Sequence, residues 1–272
     1  MNKATVLGAT GKTGHLVSKG LSDKGWNVNA VSRSTSIRFD WDDESTWNPA
    51  ISDSKAVYIV ADERPGGVER LARFLNQCSA KQVEHIVLLS ARDWIDTDLP
   101  EGHMREELVR HSGMTWTILH PAWFVQNFHT IPAFSQGIKE GRLISASGSG
   151  TAPFVDASDI AAVAVAAITE PGHENKIYEV SGPQLLSLGD VSEIMARELG
   201  KPIQLVEVDL TEYKRYLSTL GYDETNGYGM VFFNKSMKHN EMSYLSSGVW
   251  DALGRPARQF QEYVREFADL LR

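Results

Sequence analysis

Cysteine is nearly absent from this chain. A single thiol, Cys78, in 272 residues rules out an internal disulfide framework and a thiolate metal cluster. Its setting, RFLNQCSA, reads as helix, where a lone cysteine is a small buried residue rather than a nucleophile. No stretch approaches the ~20 consecutive apolar residues that a membrane span needs. An excess of basic residues is missing too. Lys and Arg number 27 against 35 Asp and Glu, a formal charge of −8, so no global positive field favours nucleic acid or an anionic membrane. His, Asp and Glu show no metal-type spacing and no serine nucleophile elbow occurs, so no metal is expected. Met1 leads almost at once into an apolar strand, which leaves no room for a signal peptide. A cytoplasmic protein, monomeric or homodimeric, is the expectation.

What is present is a soluble globular composition, 42% apolar and 23% charged, without repeats. The first half alternates strands and helices. KATVLGA, NVNAVSR, the short SIRFD, KAVYIVA, EHIVLLSA and TWTILHPAWF read as six strands; KTGHLVSKGLSDKG, GGVERLARFLNQCSAKQ and GHMREELVRHSG read as helices. Strands separated by helices predict an α/β fold, a Rossmann-like doubly wound parallel sheet covered on both faces. A dinucleotide-binding domain over residues 1–131 is expected, followed by a smaller α/β substrate lobe over 132–272 whose elements can interleave with the first. In that lobe AFSQGIKEGRLI and DASDIAAVAVAAITEP read as helices, and NKIYEVSG and IQLVEVD as short strands.

The stretch TVLGATGKTGHLVSKGL carries the first chemistry. Gly8, Gly11 and Gly14 stand three apart between a strand and a helix. Glycine lets the chain turn sharply and lets its backbone approach a pyrophosphate, which the helix N-terminus then holds with unpaired N–H groups. Thr10, Lys12 and Thr13 belong to the same turn. The end of the second strand selects the cofactor: a carboxylate there binds a ribose 2′-hydroxyl, an arginine a 2′-phosphate. Here AVSRSTSIR offers Arg33 flanked by Ser32 and Ser34, and no carboxylate precedes Asp40. NADPH/NADP is therefore the expected cofactor. Asp40 and Trp41 are placed to edge the adenine, Ala61 and Asp62 the nicotinamide ribose. Ser90, ending EHIVLLSA, completes the cofactor-binding set.

Together with the glycine spacing, VLLSA, SGMTWTILHPAWFVQNF, GTAPFVDASDIAAVA and LGRPARQFQEYVREFA resemble the NmrA-like atypical branch of the short-chain dehydrogenase/reductases over nearly the whole chain. Within it the chain looks most similar to ergot-alkaloid-type reductases of the festuclavine and agroclavine dehydrogenase kind, which reduce iminium carbons with NADPH. The branch also holds quinone reductases and nucleotide-sensing transcriptional regulators. Pro121 ends the sixth strand, so Trp123, Phe124 and Asn127 fall at the carboxyl edge of the sheet, where ligands of open parallel sheets bind. With Trp94 and Phe154 they form the expected substrate-binding set. Asp156 and Asp159 are placed to cap the helix that follows them.

One departure matters. Short-chain reductases carry a Tyr-x-x-x-Lys pair on the helix after VLLSA, and the corresponding RDWIDTDLPEGHMREELVRHSG has neither tyrosine nor lysine. Hydride delivery to an iminium carbon needs no proton at the nitrogen, so a site without the tyrosine suits it and catalysis becomes positioning and electrostatics. If an acid serves, His103, His120 and Asp93 are the candidates. The resulting reading is an NADPH-dependent reductase of a small cyclic imine or iminium. Two alternatives stand beside it: a quinone or activated C=C reductase, and a non-catalytic NADP(H)-sensing regulator with a protein partner.

Overall fold

A computed structural model describes residues 2–93 and 99–272. In chain order the strands are β1 (Lys3–Leu7), β2 (Asn27–Val31), β3 (Ala56–Val60), β4 (His85–Leu89), β5 (Thr115–Pro121), β6 (Arg142–Ser145), β7 (Thr151–Ala152), β8 (Lys176–Val180), β9 (Leu186–Ser187) and β10 (Gln204–Glu207). The chain forms two compact units. The first comprises Met1–Pro121, Ala157–Val180 and Ser247–Pro256; the second comprises Ala122–Asp156, Ser181–Ser246 and Ala257–Arg272.

The first unit is built on a six-stranded sheet of order β2-β1-β3-β4-β5-β8, parallel throughout. β1, β3 and β4 are buried nearly end to end, as strands covered on both faces must be. Leu7, Ile59, Ile86, Leu88 and Ile118 pack with Leu71, Phe74 and Val109 from the helices Gly67–Ala80 and Pro100–Arg110. Alternate strand residues point to the other face, where the helices Gly14–Asp23 and Ala157–Thr169 pair closely. A Cβ on Gly20 would stand 2.8 Å from the Val165 side chain. Cys78 is fully buried, and burial pushes its thiol pKa up.

Three features differ from the sequence reading. SIRFD is not a sheet strand: only an isolated bridge joins Arg38 to Ser32, and hydroxyl bonds of Thr35 to Ser32 and Ile37 brace the loop instead. Trp41, expected at the adenine, packs edge-on against Phe39, Trp47 and Phe74. The segment Ala157–Val180, expected in the C-terminal lobe, contributes a helix and β8 to the first unit. β8 pairs with β5 from Thr117↔Lys176 to Pro121↔Val180, a long-range pairing that local periodicity does not report.

In the second unit β6 pairs parallel with β10, and β7 antiparallel with β9. The expected helix AFSQGIKEGRLI stops at Lys139. Gly141 follows with φ +80°, and Arg142–Ser145 becomes β6. The helix Leu188–Leu199 begins with a Ser187/Asp190 capping box and ends at left-handed Gly200, as sequence rules for helix ends anticipate. Its core gathers Phe128, Phe134, Phe154, Phe233, Phe260 and Tyr263.

The two C-terminal signatures meet as ion pairs, one within each unit. Asp159, fully buried, pairs with Arg255 at 2.8 Å in the first; Asp156 takes Arg258 at 3.0 Å and the Gln126 amide at 3.0 Å in the second. Among the described residues no helix is long and apolar enough to cross a membrane, and no three His, Cys, Asp or Glu side chains are grouped to hold a metal ion.

Two stability predictions follow from one buried and one half-buried ionisable group. Arg255→Met, which strips a buried carboxylate of a partner, should cost about 2 kcal/mol by denaturant unfolding, discounted because the guanidinium is partly exposed. His85, bonded to Thr115 and Thr117, is lowered to about 4, chiefly by burial and further by His173, with Glu174 opposing. The unfolded ring protonates near its ordinary 6.5, so stability should fall as pH drops from there toward about 4. His85→Gln should flatten that fall in Tm measured between pH 7 and 4.5; an unchanged slope would refute the assignment.

Candidate functional site

The turn after β1 is shaped by the absence of side chains. Gly8 has φ +66°, and the Gly11 N–H donates to its carbonyl at 2.8 Å. A Cβ on Gly14 would lie 2.2 Å from that same oxygen, so only glycine fits at the start of the helix Gly14–Asp23. The Ala9 N–H bonds the Val31 carbonyl at 3.1 Å and ties the turn to β2. The helix has no side-chain cap and no acidic residue in its first turn. Its leading amides and positive dipole end thus suit an anion, the fit a dinucleotide pyrophosphate requires.

The polar residues of the turn differ in setting. Thr10 is exposed and Lys12 half-buried, and burial lowers the Lys12 pKa. Thr13 is buried and accepts a 2.9 Å bond from Tyr58 of β3. Burial raises the Tyr58 pKa and keeps that phenol a donor.

At the end of β2, Ser32 is buried and bonds Ser34 through its hydroxyl, while Arg33 and Ser34 are exposed. No ion pair to a described residue engages Arg33. Asp40, the nearest downstream carboxylate, is already committed. The Asp42 N–H and then the Arg38 guanidinium hold it below the usual carboxylate range against partial burial, with Arg33 adding a weaker pull. Asp40 also accepts the Trp47 indole N–H on its carbonyl. At the end of β3, Ala61 is buried, and Asp62 binds Arg64 and Arg70 with its carboxylate. The Asp62 carbonyl receives the buried Arg105 at 3.3 Å.

The carboxyl ends of β4 and β5 carry a buried polar cluster. Ser90 donates to Glu106 Oε1 at 2.7 Å, and His120 Nε2 lies 2.7 Å from the same oxygen. Arg110 reaches Oε2 at 3.0 Å. Burial opposes the charge of Glu106, yet the bonds from His120 and Ser90 and the nearby positive charges hold its pKa below the ordinary value. Ser90, assigned above to the cofactor, therefore spends its proton on Glu106. His103 is half-buried, three residues before Glu106 on the same helix, and Asp93 is half-buried beyond β4. Trp94 lies outside the described residues.

In the second unit Trp123 stacks on Phe233 with ring centroids 4.2 Å apart, and its indole N–H is buried without a partner among the described residues. Phe124 is half-buried, bridged to Val155. Asn127 is buried at the start of a short helix. Phe154, expected to face substrate, lies instead in the core against Phe128, Phe233 and Phe260. Of the aromatics between Tyr213 and Phe233, Tyr213 and Phe233 are core, while Tyr228 is exposed and stacks on Phe232.

Sequence reasoning missed Glu106 and Arg105. Both sit in MREELVR, a run of charges that reads as a solvated helix face. Their only local signal was spacing: Gly102, Arg105, Glu106 and Val109 are all buried, the i, i+3, i+4, i+7 pattern of an inward stripe.

Comparison with known proteins agrees with this geometry. Residues 8–171 match the NAD(P)H-binding family and residues 102–264 the NmrA-like family. The chain is 33% identical to an NAD(P)H azoreductase of Xenophilus azovorans, over 78% of this chain and 75% of that protein. It is 34% identical to a festuclavine dehydrogenase of Aspergillus fumigatus, over 77% and 79%. Its fold superposes on the NADPH complex of an Escherichia coli quinone oxidoreductase with a TM-score of 0.83 at 20% identity, covering 97% and 99% of the two chains. A glycine turn built for a pyrophosphate, on a parallel sheet shared with such reductases, makes this chain an NAD(P)H-dependent oxidoreductase that belongs to the NmrA-like family.

Proposed function

We propose that the chain is an NADPH-dependent reductase of a small cyclic imine or iminium. The observation that carries this reading is the buried Glu106 carboxylate, held ionised at the carboxyl ends of β4 and β5 on a helix with neither tyrosine nor lysine. With no tyrosine on that helix to supply a proton, hydride transfer suits an acceptor that is already cationic, and the ionised carboxylate offsets the positive charge of Arg110 beside it. The nicotinamide, when bound, supplies the hydride. Gly8, Gly11 and Gly14 admit the pyrophosphate, and Arg33 with Ser34 receives the 2′-phosphate. The resemblance to an azoreductase and a festuclavine dehydrogenase supports acceptors built on an unsaturated nitrogen.

A second reading is favoured by one feature of the same cluster. His120, bonded to Glu106, is a side chain of the type that serves as a general acid, and a quinone or activated C=C acceptor takes up a proton with the hydride.

Two measurements test these readings. Arg33→Ala should weaken NADPH binding by about 10- to 100-fold, the worth of a charge-assisted phosphate contact, and leave NADH binding within about twofold. Equal losses for both nucleotides would remove the case for NADPH. Purified protein mixed with NADPH and a panel of cyclic imines, quinones and enones should oxidise NADPH fastest with the imines, followed by nicotinamide absorbance. Tight NADPH binding with no turnover on any acceptor would favour a nucleotide-sensing regulator instead.

A further inference from the structure

The Ser90–Glu106–His120 cluster has a direction as well as a charge. An ionised carboxylate only accepts hydrogen bonds, so the 2.7 Å contact from His120 Nε2 to Glu106 Oε1 requires a proton on Nε2. Ser90 and Arg110 fill further positions on the same carboxylate, which fixes it in place. The imidazole is pinned by one nitrogen, and its Nδ1 makes no hydrogen bond to a described residue. His120 stands at the carboxyl end of β5, one residue before its last, and Ser90 directly follows β4. This is the edge at which open parallel sheets hold their ligands.

We propose that Glu106 is a positioning residue that holds the His120 ring by its Nε2–H, so that in the doubly protonated ring Nδ1 faces away from the carboxylate and delivers the proton to acceptors that gain a hydride and a proton together. The inference rests on the reductase reading above and extends it to a substrate class: neutral imines, azo compounds and quinones, rather than preformed iminium ions alone. The balance is complete with NADPH as reductant. The acceptor's double bond is reduced by the hydride at one atom. The Nδ1–H bond of His120 breaks as an N–H or O–H bond forms at the other atom. The oxidised nucleotide leaves, and water reprotonates the ring. Removing a positioned general acid typically costs about 10²–10⁴ in rate, and removing the group that orients it costs part of that.

Other charges surround the ring. His103, Arg105 and Arg110 lie on the helix of Glu106. Arg92 and Asp93 follow β4, and Glu179 is the partner of His120 across β5 and β8, with Arg92 3.7 Å from it. Only Glu106 bonds the imidazole directly among the described residues.

The test uses the full chain with Glu106→Gln, His120→Asn and the double variant. Side-chain ¹⁵N–¹H spectra of the histidines, with the His120 signals identified by their loss in His120→Asn, report which ring nitrogen carries the proton. The wild-type ring should be protonated at Nε2, and Glu106→Gln should give averaged signals of two tautomers. With NADPH and a neutral acceptor, Glu106→Gln should lower kcat by about tenfold or more while KM for NADPH moves less than about twofold. In the His120→Asn background the same change should alter kcat by less than about twofold. A neutral wild-type ring with its single proton on Nδ1 rather than Nε2, a tautomer unchanged by Glu106→Gln, or additive kinetic losses overturns the proposal. The first of these outcomes is decisive even if Glu106→Gln does not fold. Failure of the reductase reading looks different: the tautomers behave as expected while no acceptor consumes NADPH.

Discussion

Between the carbonyl of Gly8 and the first turn of the following helix there is no room for a side chain. That steric constraint lets β1 run into the helix Gly14–Asp23 within a few residues, and the first turn of that helix carries no side-chain cap and no acidic residue. The sheet order reverses at this place, with β2 on one side of β1 and β3 on the other. A parallel sheet has its ligand crevice at such a reversal, and a packing restriction at one glycine keeps the turn there free of side chains. Tyr58, buried in β3 and bonded to Thr13, holds the turn from below.

The site is otherwise organised by how carboxylates are buried. Asp62, Glu106 and Asp159 are each almost wholly removed from water, where an unpaired charge is costly. Each is met by arginine: Arg64 and Arg70 on Asp62, Arg110 on Glu106, Arg255 on Asp159. Asp62 stands just beyond β3, and Glu106, on the helix Pro100–Arg110, meets Ser90 and His120 at the ends of β4 and β5, so two of these pairs also shape the carboxyl edge of the sheet. Glu106 differs from the others in binding a histidine as well, which turns a structural ion pair into a group able to orient a proton.

The contrast between Arg33 and Arg38 shows how similar residues five apart divide their work. Arg38 is held by Asp40 and Asp43 and braces the loop after β2. Arg33 is exposed with no such pairing to a described residue. Arg38 thus takes up Asp40 and Asp43 within the loop, while Asp42 is met by Arg64 from beyond β3.

Local pattern by itself determined the alternation of buried strands and amphipathic helices, the parallel class of the sheet, the glycine turn and the arginine after β2. Each is written in neighbouring residues, since apolar period, glycine spacing and the residue ending a strand act over a few positions. Tertiary structure alone decided that β8 joins the first sheet, that Trp41 and Phe154 serve cores, and that Glu106 meets Ser90 and His120. These depend on pairings between residues from 14 to 106 positions apart, and the local spacing that turns Glu106 inward does not say which strands it meets.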